Sequence, residues 1–204
     1  MTDKDLSSYG IAGCIDVETT GLSPYTNEII ELGLVLFAFN RQTGKIIEVL
    51  EEYTGLREPV CSISWGASRV HGLTKRQLKG KDLDREKIAS LLRQAEFLVS
   101  HNARFDYAFV APFFPEAVAK PWYCSMNGVS WRKEGFGSKG LQSLLVDHQI
   151  AVARSHRALD DARAVVALLG RHDRTGKPYL TALLTGRPLA NKTFRKAAAT
   201  ANKK

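Results

Sequence analysis

Two runs rich in β-branched and aromatic residues, 28–39 and 46–53, are separated only by Asn40-Arg41-Gln42-Thr43-Gly44-Lys45. Strands joined by so short a glycine-containing turn close as an antiparallel hairpin, because a parallel return needs a crossover of a dozen or more residues. A further strand is expected at about residues 11–18, which makes the first quarter of the chain a three-strand meander. Beyond it the apolar spacing changes to that of helices, at 64–70, 85–95, 105–111, 141–148 and 158–170, with short extended runs at 97–100 and 122–124. Strands first, then alternating helices and strands, predict an α/β chain: a mixed central sheet, an antiparallel meander extended by parallel strands, flanked by helices.

The 204 residues, 44% hydrophobic and 25% charged, suffice for one sizeable core and not for two. The expected organisation is a flexible N-terminus over residues 1–9, a folded domain over 10–173, and a loosely attached basic extension over 174–204, where Gly-Lys-Pro and Gly-Arg-Pro breakers precede an Ala/Lys-rich end. The longest apolar run, 32–39, has the length of a strand, and residues 1–8 lack a secretory apolar region. A soluble cytoplasmic protein with no membrane partner is expected. Cys14, Cys61 and Cys124 lie far apart with no Cys-x-x-Cys pair, which argues against a zinc cluster or a disulfide framework.

The net charge of +8 resides in one place. Residues 171–204 hold nine Lys or Arg against the single acid Asp173, while residues 1–170 are balanced at 20 of each sign. A basic end of this kind suits a polyanion such as nucleic acid, or serves only solubility.

Three acidic groupings interrupt otherwise structural patterns. Asp16 and Glu18 end the first apolar strand, and strand alternation points both to the same face. Two neighbouring acids repel unless a cation lies between them, and an all-oxygen site suits Mg²⁺ or Mn²⁺; a solvated strand end is the alternative. Asp106 falls in the first turn of the helix that follows the strand at 97–100, a place the helix dipole also favours for structural reasons alone. Asp161 shares the apolar stripe of Ala158, Ala162, Val165 and Leu169, where an acid is costly unless paired or bound to metal. Asp160 lies about 100° round the helix and reads as solvated. His156 is expected in the loop just before that helix.

The order D-x-E-T-T-G at 16–21, H-N-A-x-F-D at 101–106 and H-x-x-x-x-D at 156–161 resembles the three motifs of DnaQ-like 3′–5′ exonucleases, in the branch with a histidine in the third motif. The similarity spans about residues 11–170 and includes Val70-His71-Gly72-Leu73-Thr74, similar to a non-catalytic signature of that family. It implies a ribonuclease H-like fold and two Mg²⁺ or Mn²⁺ ions held by Asp16, Glu18, Asp106 and Asp161, with Asp16 as the bridge and Asp106 acting through water. His156 would be the general base, and nucleoside 5′-monophosphates would leave from a 3′ end. Thr19, Thr20, Leu22, Asn102 and Phe105 would meet the terminal nucleotide, and His71 and His101 would serve structure or hydrogen-bond the substrate. The implied partners are single-stranded or frayed 3′ ends of DNA, RNA ends as the alternative, and a DNA polymerase subunit. A non-catalytic nucleic-acid-binding or polymerase-associated module of the same fold is the alternative of another class. Trp131, Arg132 and Lys133, before the glycine-rich loop at 135–140, would form an edge of the strand's path or an ordinary surface loop.

Overall fold

The computed structural model describes residues 8–151 and 156–189. Strands Tyr9–Thr19 (β1), Ile29–Asn40 (β2) and Ile46–Leu56 (β3) form the antiparallel meander, and Phe97–Ser100 (β4) and Trp122–Cys124 (β5) extend it in parallel. The sheet order is β3-β2-β1-β4-β5. β2 is buried almost throughout because layers cover both its faces, whereas the edge strand β3 turns Glu48, Glu51 and Glu52 outward and to the flanks.

Side-chain alternation sorts the core into two layers. On one face Ala12, Cys14, Val35 and Phe37 pack under helix Ala158–Leu169 (which also carries Ala162 and Val165 into the core), together with helix Leu141–Asp147. On the other, Ile15, Val17, Leu34 and Leu98 pack under Arg85–Gln94 and Ala103–Val110. In chain order the helices are α1 (Trp65–His71), α2 (Lys75–Leu78), α3 (Arg85–Gln94), α4 (Ala103–Val110), α5 (Pro115–Val118), α6 (Ser125–Gly128), α7 (Leu141–Asp147), α8 (Ala158–Leu169) and α9 (Tyr179–Thr185). Ser64 caps α1 through Ala67 N–H, and Gly72, at φ +71°, ends it in the left-handed conformation.

The expectation of a loose extension from residue 174 is corrected by α9. Tyr179, Leu180 and Leu183 are buried in the α8 layer, Thr181 donates its hydroxyl to the Thr43 carbonyl, and the Leu189 N–H reaches the Trp122 carbonyl. Apolar side chains after the Gly-Lys-Pro break carry the chain back onto the body. Residues 190–204, and residues 1–7 of the expected flexible N-terminus, lie outside the described residues.

Candidate active site

Asp16 and Glu18 stand on the α8 face of the sheet, continuing the alternation of Ala12 and Cys14. The β1–β2 register slips between Glu18 and Thr19, a bulge at the point where the chain leaves the sheet. β4 ends beside this point: Ser100 donates its hydroxyl to the Ile15 carbonyl at 2.5 Å, and α4 follows, with Asp106 in its first turn. Asp106 is buried, and the Val17 backbone N–H helps to hold its carboxylate.

The remaining side of the cleft is the start of α8. Asp161 is buried, as its place in the apolar stripe predicts; Asp160 turns outward to pair with Arg163 at 3.2 Å. His156 lies in the preceding loop at φ +59°, and its backbone N–H donates to Asp161 Oδ2 at 2.9 Å. Gln142 on α7 donates to the other oxygen, Oδ1, at 3.3 Å. One oxygen each of Glu18 and Asp161 and a ring nitrogen of His156 lie within 4.8 Å of one another. Asp16, Glu18, Asp106, Asp161 and His156 therefore line a single cleft of about 320 Å³, with Asn102, Phe105 and Gln142 on its walls.

Burial first, and crowding second, raises the pKa values of these acids. Burial, followed by Asp106, Glu18 and Asp161, pushes Asp16 well above the usual carboxylate range. Burial, then Asp161 and Glu31, brings Glu18 to about 8. Asp106 rises to about 7, chiefly by burial, and Asp161 rises for the same first reason. Four carboxylates that favour protons because they are buried, and in Asp16 and Glu18 also because of the charges of neighbouring acids, suit a hard divalent cation, which prefers oxygen ligands.

Two residues that the motifs do not contain seat α8 on this cleft. Glu31, opposite Glu18 in the sheet register and only 1% exposed, accepts from Arg157 Nε at 3.0 and 3.1 Å and from its terminal nitrogen at 2.8 Å. Gly33, opposite Asp16, lets the first turn of α8 lie on the strand: a Cβ there would stand 2.3 Å from the Ala158 carbonyl carbon and the Leu159 nitrogen. Gln142 was missed as well. No local pattern marks any of the three, since their partners lie between 19 and 126 residues away.

A second cleft, of about 400 Å³, shares Val17, Glu18 and Phe105 with the first. Its walls are mostly apolar and include Leu22, 85% exposed, with Val70 and His71 of α1. Phe105 leans on Phe109 with ring centroids 4.9 Å apart and so separates the two clefts as well as packing the core. Thr19 lines this cleft, though its hydroxyl donates to the Gly21 carbonyl at 2.6 Å. Asn102 is exposed at the mouth of the carboxylate cleft. Thr20 is corrected: it is 0% exposed, its hydroxyl holds Glu28 N–H and Cys61 Sγ, and its backbone groups pair with Glu28 and Ser64, so it shapes the turn instead of meeting a substrate.

The other two motif histidines differ. His101 Nε2 donates to the Lys139 carbonyl at 2.8 Å, so Nδ1, 2.9 Å from Ser125 Oγ, accepts that hydroxyl and the ring is a structural tie. His71 Nδ1 accepts from Leu73 N–H, which places the proton on Nε2; that atom is buried, and the Thr19 backbone is the polar group that interacts with the ring from the other side. Burial lowers its pKa and keeps the ring neutral. Trp131 is also corrected: it is no edge of a strand path, being 2% exposed and packed against Tyr179 at 4.7 Å between ring centroids.

Comparison with known proteins agrees with this geometry. Residues 14–169 match the RNase_T family, described as Exonuclease. The chain is 33% identical over 175 residues to the PolC-type DNA polymerase III of Thermotoga maritima, which covers 82% of this chain but 12% of that polymerase, and 27% identical over 171 residues to the counterpart from Caldanaerobacter subterraneus, again over 12% of its length. It thus spans about one eighth of the curated relatives it matches. Among solved structures it is similar to exonuclease X in complex with 5′ overhanging duplex DNA, at 24% identity and TM-score 0.59 over 83% of this chain and 99% of that one. Escherichia coli exonuclease I in complex with a dT13 oligonucleotide aligns at 17% identity and TM-score 0.62, over 78% and 40%. The mixed sheet is accordingly the ribonuclease H-like arrangement, and the chain belongs to the RNase_T exonuclease family, of the DnaQ-like type.

Proposed function

We propose that this chain hydrolyses the 3′-terminal phosphodiester of DNA strands and releases nucleoside 5′-monophosphates. The observation that carries the reading is the meeting of Asp16, Glu18, Asp106, Asp161 and His156 in one cleft that opens beside a mostly apolar one. The four carboxylates would hold two Mg²⁺ or Mn²⁺ ions, whose charge stabilises the attacking and leaving oxygens of a displacement at phosphorus. His156, beside the oxygens of Glu18 and Asp161, takes the proton of the attacking water. Its backbone bond to Asp161 ties the base and the carboxylate together. In the adjoining cleft Leu22 and Phe105 receive the terminal base and sugar. Thr19 contributes the wall of the turn, and Asn102 the rim on the phosphate side.

DNA is favoured over RNA by the company the chain keeps, with DNA polymerases among its relatives and DNA complexes among the similar structures. The same relatives support proofreading within a polymerase assembly as its setting, with repair as the other reading. The test is a set of 5′-labelled strands, single-stranded DNA, a frayed duplex and RNA of one sequence, incubated with Mg²⁺ or EDTA and resolved by length. A ladder shortening from the 3′ end, with metal only and faster on DNA, is expected. Faster trimming of RNA would move the substrate to RNA, and binding of every strand without cleavage would make the chain a non-catalytic module.

A further inference from the structure

We propose that a third, basic cleft carries the phosphate backbone of the substrate strand on the 5′ side of the cleaved bond; the inference rests on the exonuclease reading above. This cleft, about 590 Å³, is lined by Arg132, Lys133 and Lys139 along with Met126, Asn127 and Ser130, and no acid lines it. The first 170 residues are electrically balanced, so three cations without a counter-charge are not the background of this surface. Arg132 and Lys133 are exposed and make no ion pair among the described residues. Lys139 Nζ is steadied by Asn127 Oδ1 at 2.7 Å. Glu134, the acid nearest in sequence, turns away to accept from the Arg174 backbone N–H.

The cleft is built into the fold and joined to the catalytic one. Trp131 anchors its floor by donating from Nε1 to the Ser125 carbonyl at 2.8 Å. His101, on the wall of the carboxylate cleft, binds the Lys139 carbonyl through Nε2, the Ser125 hydroxyl through Nδ1, and the Met126 N–H through its own carbonyl. Both sides of the basic cleft are thereby fixed to one residue of the catalytic cleft, and Lys139 is followed directly by Gly140, which lines the latter. The apolar cleft adjoins the carboxylates through Val17, Glu18 and Phe105. A strand whose last nucleotide enters the apolar cleft and whose scissile phosphate meets the carboxylates has a cationic cleft for its next phosphates. Positive charge with no acid selects a polyanion, and the continuing strand is the polyanion that catalysis brings there.

The test compares the wild type with Arg132→Ala/Lys133→Ala/Lys139→Ala, using fluorescein-labelled oligothymidylates of 3 and 15 nucleotides in Ca²⁺. The 15-mer should bind about tenfold more weakly to the variant and lose about 2 from the slope of log K against log salt, at about 0.7 per phosphate contact. The trimer, which carries only one phosphate beyond the scissile one, should weaken by about twofold and lose about 0.7 from that slope. Equal losses on both lengths, or an unchanged 15-mer, would overturn the proposal; the unchanged 15-mer would leave the cleft to an acidic protein segment. Trimer cleavage in Mg²⁺ reads the catalytic proposal separately, since a wild type that leaves the trimer intact counts against the exonuclease chemistry while the 15-mer still decides the cleft.

Discussion

Asp16 and Glu18 stand on a strand laddered to β2 along their stretch and to β4 just before it, at Ala12–Cys14, whereas Asp161 stands in the first turn of α8 and His156, at φ +59°, in the loop before it. The strand half inherits its geometry from the sheet ladder. The helix half has no ladder and is located by contacts across the fold: the Glu31–Arg157 pair, the bare face of Gly33, and hydrogen bonds from Gln142 and the His156 N–H. One site is thus held by two kinds of support, a backbone ladder at β1 and side-chain contacts at α8. Damage to supporting residues should therefore fall mainly on the helix half.

The largest effect expected is loss of a carboxylate. Asp161→Asn should cut turnover by about 10³-fold, the upper range for removing one preorganised electrostatic group. Asp160→Asn, which removes only a surface pair with Arg163, should stay within about twofold in turnover and cost about 0.5 kcal/mol or less. Steady-state rates on a labelled strand measure both, and similar losses would mean that the wrong aspartate faces the cleft.

Next come the supports of α8. Gly33→Ala forces a methyl group onto the Ala158–Leu159 backbone and should lower turnover by about 10²-fold through misplacement of Asp161, with about 1–3 kcal/mol of lost stability. Arg157→Leu leaves Glu31 buried beside Asp16 and Glu18, at a cost of about 3 kcal/mol. Urea unfolding and kinetics on the same preparations separate the two effects, and a Gly33→Ala enzyme with normal turnover would remove the distinction between the halves. The smallest effect belongs to the end of the chain. Truncation after Leu189 removes five Lys or Arg and no acid, so it should flatten the salt dependence of strand binding while leaving the unfolding midpoint in place. Truncation after Thr175 also removes α9 and should destabilise the fold.

The same division marks what the sequence made legible. The meander and the short parallel strands are legible from hydrophobic period and turn signals, and the five groups of the carboxylate cleft from the motif order and the resemblance it carries. Thr20 was misplaced because the motif that sets it between Thr19 and Leu22 does not say which way its hydroxyl turns, and it turns inward to Glu28 N–H and Cys61 Sγ. Trp131 was misplaced because a tryptophan between a helix and basic residues looks the same whether it stacks on Tyr179 or on a base. Tyr179, Leu180 and Leu183 do carry helical spacing, hidden between two proline breakers. Glu31 and Arg157, 126 residues apart, left no local trace.

The central claim is that acids from three separate segments form one divalent-cation site, and the most direct measurement is the Mn²⁺-induced change in thermal midpoint between pH 5 and 8, beginning from EDTA-treated protein. Glu18 and Asp106 hold protons in the fold up to about 8 and 7, while the unfolded chain releases them near 4.5 and 3.8. Without metal their contribution is full below the unfolded values and is lost as pH rises through the folded ones. His71 and His101, with lowered pKa values, act in the opposite sense, but they do so with and without Mn²⁺ and drop out of the difference. The gain from Mn²⁺ should therefore grow from pH 5 to pH 8, as the cation replaces protons, and should largely vanish in Asp161→Asn. A gain that is absent at pH 8, independent of pH, or intact in Asp161→Asn would contradict a shared metal site.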